Sequence, residues 1–153
     1  MRLTEEQLEA MQEHLAQCRT FETRPWISGP PLNQRRVAII ATSGVHVRND
    51  RPFQLTRHDT YRVIPGSAKA NDLLMSHGES SFDRTGFQRD GNMAFPIDRL
   101  REMVADGIIG SVADFHYSFG APMSEEETEI AAREIGRLLK KDKVTAALMC
   151  TPV

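Results

Sequence analysis

The sequence predicts an α/β fold: a layered αβα-type domain with a mostly parallel sheet, whose strand order the pattern leaves open. Three observations carry this expectation. The run Val37 to Ala41 is apolar without polar alternation, as in a strand buried on both faces. "MSEEETEIAAREIGRLLKKD" is a full helix signature, with acidic residues in its first turn and Arg137, Lys140 and Lys141 near its last. Helical and strand patterns then alternate through the second half of the chain, the rhythm of βαβ units.

The elements follow in order. "LTEEQLEAMQEHLAQ" opens on a capping box, Thr4 with Gln7, and sets Leu8, Met11 and Leu15 on one helical face. Pro25, Pro30 and Pro31 make the next stretch a loop, which Trp26 is expected to pin to the body. Residues 1–35 are thus a helix and proline-rich loop packing on a core built by 36–153. After the strand at Val37 to Ala41 the chain turns polar and arginine-rich from Val45 to Ile64, with a short strand in "TYRVIP". Leu73 to Met75 read as another strand that exits through Ser76, His77 and Gly78. "ESSFDRTGFQRDGNMAF" reads as a long polar loop. In "FPIDRLREMVADGIIG", Pro96 sits near the first turn of a helix, Ile97, Leu100, Met103 and Val104 face inward, and Gly107 suits the C′ position. "SVADFHYSFG" holds a short strand. Ser124 and Glu127 form a second capping box, and a buried strand from Val144 to Cys150 follows the last helix.

With 153 residues the chain suits one domain, and 40% apolar with 26% charged residues is ordinary for a globular protein. A net charge of −2 argues against a nucleic-acid partner, whose affinity would rest on neutralised phosphates. No apolar run reaches membrane-spanning length, and the first residues form a Glu-bearing amphipathic segment rather than a signal peptide, so the expectation is a cytoplasmic protein with no membrane partner. Cys18 and Cys150 form neither a CxxC nor a zinc spacing, and no metal site is expected.

The candidate chemistry lies at strand ends, where ligands bind in open α/β sheets. Thr42, Ser43, Gly44 and His46 follow the first buried strand, where hydroxyls and backbone N–H groups hold anions; a simple turn is the competing reading. No GxGxxG or P-loop pattern is present. His77 stands at a second strand exit, as an acid/base group or as a hydrogen-bonded structural histidine. Arg48, Arg51, Arg57 and Arg62 suit either an anionic ligand or a salt-bridged surface loop, the second being favoured. Cys150, at the end of the last strand, is either an inert buried thiol or a nucleophile.

The segments "VAIIATSGVH", "YRVIP", "SHG", "FPIDRLREMVADGIIGSVADFHYSFG" and "VTAALMCTPV" together resemble the selenoprotein B family, the substrate-reducing subunits of glycine, sarcosine, betaine and D-proline reductases. The resemblance runs from about Arg36 onward and is most specific in "FPIDRLREMVADGIIGSVA". It implies reductive C–N cleavage through a covalent selenium intermediate, with a small amine or amino acid as substrate. It also implies other reductase-complex subunits, one bearing a pyruvoyl group, and a dithiol electron donor. In the family a selenocysteine, or cysteine in some relatives, follows the strand that resembles "VTAALMCTPV"; the expectation is therefore a UGA codon directly after Val153 and no cofactor in residues 1–153. His77 is expected to pass a proton to the leaving amine, Ser43, Gly44 and His46 with Thr42 to hold a substrate carboxylate, and Asp98 and Arg99 either to reach the same site or to cap their helix. The resemblance leaves Cys150 either a catalytic residue beside the selenocysteine or only its buried neighbour. Two other readings stand beside this one: a non-catalytic module binding a small anion, or a thiol oxidoreductase working through Cys150.

Overall fold

The protein is described by a computed structural model at residues 4–17, 22, 27–54, 60–77, 83–120 and 123–151. Among these residues are four α-helices, α1 (Glu5–Gln17), α2 (Thr85–Arg89), α3 (Ile97–Ala105) and α4 (Glu125–Lys141). The strands are β1 (Arg36–Ala41), β2 (Val45–Val47), β3 (Arg62–Pro65), β4 (Leu73–Met75), β5 (Ser111–Val112), β6 (Phe115–Ser118) and β7 (Ala146–Cys150).

The sheet is built around β1. β7 lies parallel to it along one edge, from Val37 opposite Ala146 to Ala41 opposite Cys150. β5 and β6 share the other edge as two parallel pieces of one interrupted strand, β5 opposite Arg36 and Val37, β6 opposite Ile40 and Ala41. β3 closes that side antiparallel to β6, so the order is β3–β6–β1–β7, mixed but mostly parallel. The expected layered α/β architecture is what forms.

Side-chain alternation along β1 assigns the layers. Val37, Ile39 and Ala41 enter one buried cluster with Phe95, Ile97 and Leu100, the last two from α3. Ile40 points the other way, into a groove shared with Ile135 and Leu139 of α4. Each fully buried Ile or Phe in such a layer contributes about 1.5–3 kcal/mol. Continuous apolarity in "VAIIA" is thus the consequence of helices on both faces.

Both capping boxes form. Thr4 N–H donates to Gln7 Oε1 at 3.0 Å and Gln7 N–H to Thr4 Oγ1 at 3.3 Å; Ser124 and Glu127 do the same at α4. Leu8, Met11 and Leu15 of α1 are exposed. Trp26 lies outside the described residues. Gly107 takes φ +70° after α3, and Ile108 N–H reaches Met103 O while Gly107 N–H reaches Val104 O, a Schellman exit.

Four differences from the sequence reading have local causes. β7 begins at Ala146 rather than Val144, because Val144 N–H closes the Schellman exit of α4 onto Leu139 O. It is also less buried than expected, with Leu148 38% and Met149 64% exposed, since only its β1 edge is paired among the described residues. The stretch from Val45 contains β2, which pairs antiparallel with β4 as a separate two-stranded ribbon. The long polar loop contains α2 and a 3-10 turn at Gly91–Met93.

Candidate active site at the strand ends

The C-terminal ends of β1, β6 and β7 meet around the segment Thr42–Gly44. Thr42 N–H donates to Cys150 O at 3.0 Å, extending the β1–β7 ladder by one bond. Gly44 N–H donates to Phe119 O at 2.8 Å, and Val45 N–H to Ser118 Oγ at 3.0 Å, tying the segment to the end of β6. Gly44 has φ +64°, and a Cβ there would lie 2.9 Å from His77 Cα and 3.0 Å from its N. Glycine is therefore required twice over, for its backbone conformation and for the close approach. Ser76 N–H donates to Gly44 O at 2.9 Å. The exit of β1 and the exit of β4 are thus in direct backbone contact, and two sequence-predicted stretches come together here.

Individual side chains divide sharply. Ser43 is fully buried, and its hydroxyl donates to Ala94 O at 3.4 Å. His46 is 1% exposed, with Nδ1 2.9 Å from Val47 O and Nε2 2.8 Å from Ser76 Oγ. The Phe53 ring packs edge-on against it, 6.4 Å between centroids. Ser43, Gly44 and His46 therefore direct their described polar contacts into the protein. Thr42 is exposed, and Ser76 and His77 are half-buried. His77 O accepts from Arg84 Nη2 at 2.9 Å, which holds the β4 exit to the segment before α2.

Asp98 works at the start of α3. Its carboxylate accepts from Ala70 N–H at 3.1 Å and from Arg101 Nη1 at 2.6 Å, and its own N–H donates to Asn92 Oδ1 at 3.0 Å. Arg101 continues to the carbonyls of Gly66 and Ala68. Arg99 forms a surface pair with Glu102 at 2.7 Å. Of the arginine-rich stretch, Arg62 lies buried in β3 rather than on the salt-bridged surface loop favoured from sequence: it stacks 4.5 Å from the Phe53 ring centre, donates to Arg51 O and Pro52 O, and has Asp50 Oδ2 at 3.6 Å; Arg57 and His58 lie outside the described residues. Cys150 sits against the core cluster, and burial pushes its thiol pKa up. An apolar groove of about 360 Å³, lined by Ile40, Thr42, Phe119, Ile135 and Met149 among others, opens beside these strand ends. Among the described residues no cluster of three His, Cys, Asp or Glu side chains is placed to hold a metal, and no helix is long and apolar enough to cross a membrane.

Sequence reasoning missed Ser76 and Ser118, both of which hydrogen-bond into the site. Ser76 had a legible signal, a hydroxyl between a short apolar strand and His77. Ser118 had none, since its partner is fixed by sheet topology.

The fold and these strand ends define an α/β domain in which the exits of β1 and β4 meet at the carboxyl edge of a mostly parallel sheet, beside an apolar groove. The chain belongs to the glycine/sarcosine/betaine reductase selenoprotein B family, which it matches over residues 6–152. It is 35% identical over 120 residues to D-proline reductase subunit gamma of Acetoanaerobium sticklandii, covering 77% of this chain and 49% of that one. It is 33% identical over 126 residues to glycine reductase complex component B subunit gamma of Symbiobacterium thermophilum, covering 77% and 28%. To betaine reductase complex component B subunit beta of Peptoclostridium acidaminophilum it is 29% identical over 124 residues, again 77% and 28%. The matched region spans half the length of these relatives or less. No solved structure matches significantly.

Proposed function

We propose that this chain supplies the strand-end pocket of a selenium-dependent reductase subunit that acts in reductive C–N cleavage of a small amine or amino acid. Family membership supports the reaction class. The observation that carries the location is the contact of Gly44 with the His77 backbone, which joins two strand exits beside the end of β7.

In this reading a selenocysteine follows the β7 strand. A selenolate there supplies a nucleophile that is ionised at neutral pH, where an ordinary thiol is mostly protonated. The residues of this chain do the positioning. The bond from Thr42 N–H to Cys150 O fixes where the chain leaves β7. The exposed Thr42 hydroxyl offers a contact for the substrate carboxylate, while Ser43, Gly44 and His46 build the wall behind it. His77, half-buried at the β4 exit, transfers the proton that the departing amine needs. Other reductase-complex subunits, one carrying a pyruvoyl group, and a dithiol electron donor complete the reaction, in the cytoplasm. Cys150 is a structural neighbour: its burial disfavours the thiolate that a thiol oxidoreductase would need.

Selenium content of the native protein tests the selenium part: one selenium atom per subunit is expected, and its absence would exclude that part. His77→Ala in the full-length enzyme is expected to lower turnover about 10²-fold or more with little change in folding; normal turnover would remove His77 from the mechanism.

A further inference from the structure

The contacts of His46 fix the polarity of Ser76. Val47 O, a carbonyl, can only accept, so the 2.9 Å contact puts a proton on Nδ1 of the His46 ring. In the singly protonated ring Nε2 is then a bare acceptor, and the 2.8 Å contact has Ser76 donate its only hydroxyl proton to it. The remaining lone pairs of Ser76 Oγ can only accept. This chain of bonds is held rigidly. His46 is 1% exposed, Phe53 packs edge-on against its ring, Arg62 covers Phe53 at 4.5 Å, and Ser76 N–H is anchored on Gly44 O. The imidazole cannot turn without losing two hydrogen bonds in a dry site, where unmade bonds are costly. Ser76 itself is half-buried, at the β4 exit next to His77.

We propose that Ser76, oriented by His46, is a specificity-determining acceptor that recognises an N–H-bearing group of the ligand in the strand-end pocket. An N–H donor finds its partner there, whereas a carboxylate or a fully alkylated nitrogen meets lone pairs and no proton. His46 is the positioning residue, acting through Ser76. The inference rests on the functional reading above, since it presumes that small amines enter this pocket.

A ladder of N-methylation separates the two claims. Binding of glycine, N-methylglycine and trimethylglycine to the full-length protein would be measured by NMR titration for wild type, Ser76→Ala and Ser76→Thr. The variants' folding would be checked by circular dichroism. The expected result is that Ser76→Ala weakens glycine and N-methylglycine about tenfold, the loss of one hydrogen bond from a charged donor. Trimethylglycine, which has no N–H, should be unaffected, and Ser76→Thr, which keeps the hydroxyl, should bind like wild type. An equal loss for all three ligands, or no loss for any, would overturn the role of Ser76 while leaving the functional reading intact. Failure of the wild type to bind any of the three would overturn the functional reading and this inference with it.

Discussion

His116 occupies an interruption in the sheet, and its removal has a calculable pH signature. Between Val37 opposite Val112 and Ile40 opposite Tyr117, two residues of β1 face four of the neighbouring strand, so the regular ladder is lost there. Ile39 N–H instead donates to His116 Nδ1 at 2.9 Å, and the ring is fully buried with Phe95 edge-on at 5.9 Å. Burial first, and the positive charge of Arg101 second, lower its pKa from 6.5 to about 4, against a smaller opposing effect of Asp142. The folded state therefore keeps the ring neutral while the unfolded chain protonates it. Stability from this residue is fully present above pH 6.5 and declines as pH falls toward 4, by ~3 kcal/mol in total. His116→Asn places an amide oxygen where Nδ1 lies, retaining an acceptor for Ile39 without a titrating group. Some stability, about 1–2 kcal/mol, should be lost at pH 7 through the smaller side chain. Urea unfolding at pH 7 and at pH 4.5 would compare the two proteins: the wild type should lose ~2–3 kcal/mol between these values and the variant distinctly less. Parallel losses in both would refute the assignment. Asp142 does not confound the comparison. Burial works against its charge, but hydrogen bonds from Arg36 and from the Asp114 and Phe115 N–H groups hold its pKa below 3.8, so its contribution is lost only at still lower pH.

Further outcomes are expected elsewhere. Lys143 sits at the C′ position after α4 with φ 57°, so Lys143→Gly should raise stability by about 1 kcal/mol in urea unfolding. Gly44→Ala should cost at least about 2 kcal/mol and disturb His77, because both its φ and its 2.9 Å approach exclude a side chain; the His77 NMR resonances report the second effect. Asp142→Ala should cost about 2–4 kcal/mol, since its carboxylate joins Arg36 at 2.5 Å to the N–H groups of Asp114 and Phe115. In a Cys18→Ser background, Cys150 should alkylate at pH 7 more slowly than a free thiol and speed up on unfolding.

What the sequence made legible was local. Helix ends carried their own chemistry: Thr4 with Gln7, Ser124 with Glu127, and Gly107 each ended up in the cap that their residue types require. The buried character of β1 was equally direct, because two covered faces demand an unbroken apolar run. Strand length was less so. Val144 is apolar enough to extend β7, yet its N–H serves the helix exit instead. The ribbon of β2 and β4 was hidden because three residues, Val45 to Val47, carry too little periodicity, and the middle one is a buried histidine. At the site, the strand exits at Gly44 and His77 were found, but not which atoms face outward. Ser43 and His46 looked like ligand groups by position, and it is non-local partners, Ala94 O and Ser76 Oγ, that turn them inward.

The central claim is that this chain is part of a selenium-bearing reductase subunit. Intact mass and selenium content of the native protein, purified from its own organism, test it most directly. One selenium atom per subunit is expected, placed by peptide mass mapping on the C-terminal side of β7. A native subunit that contains no selenium would contradict it.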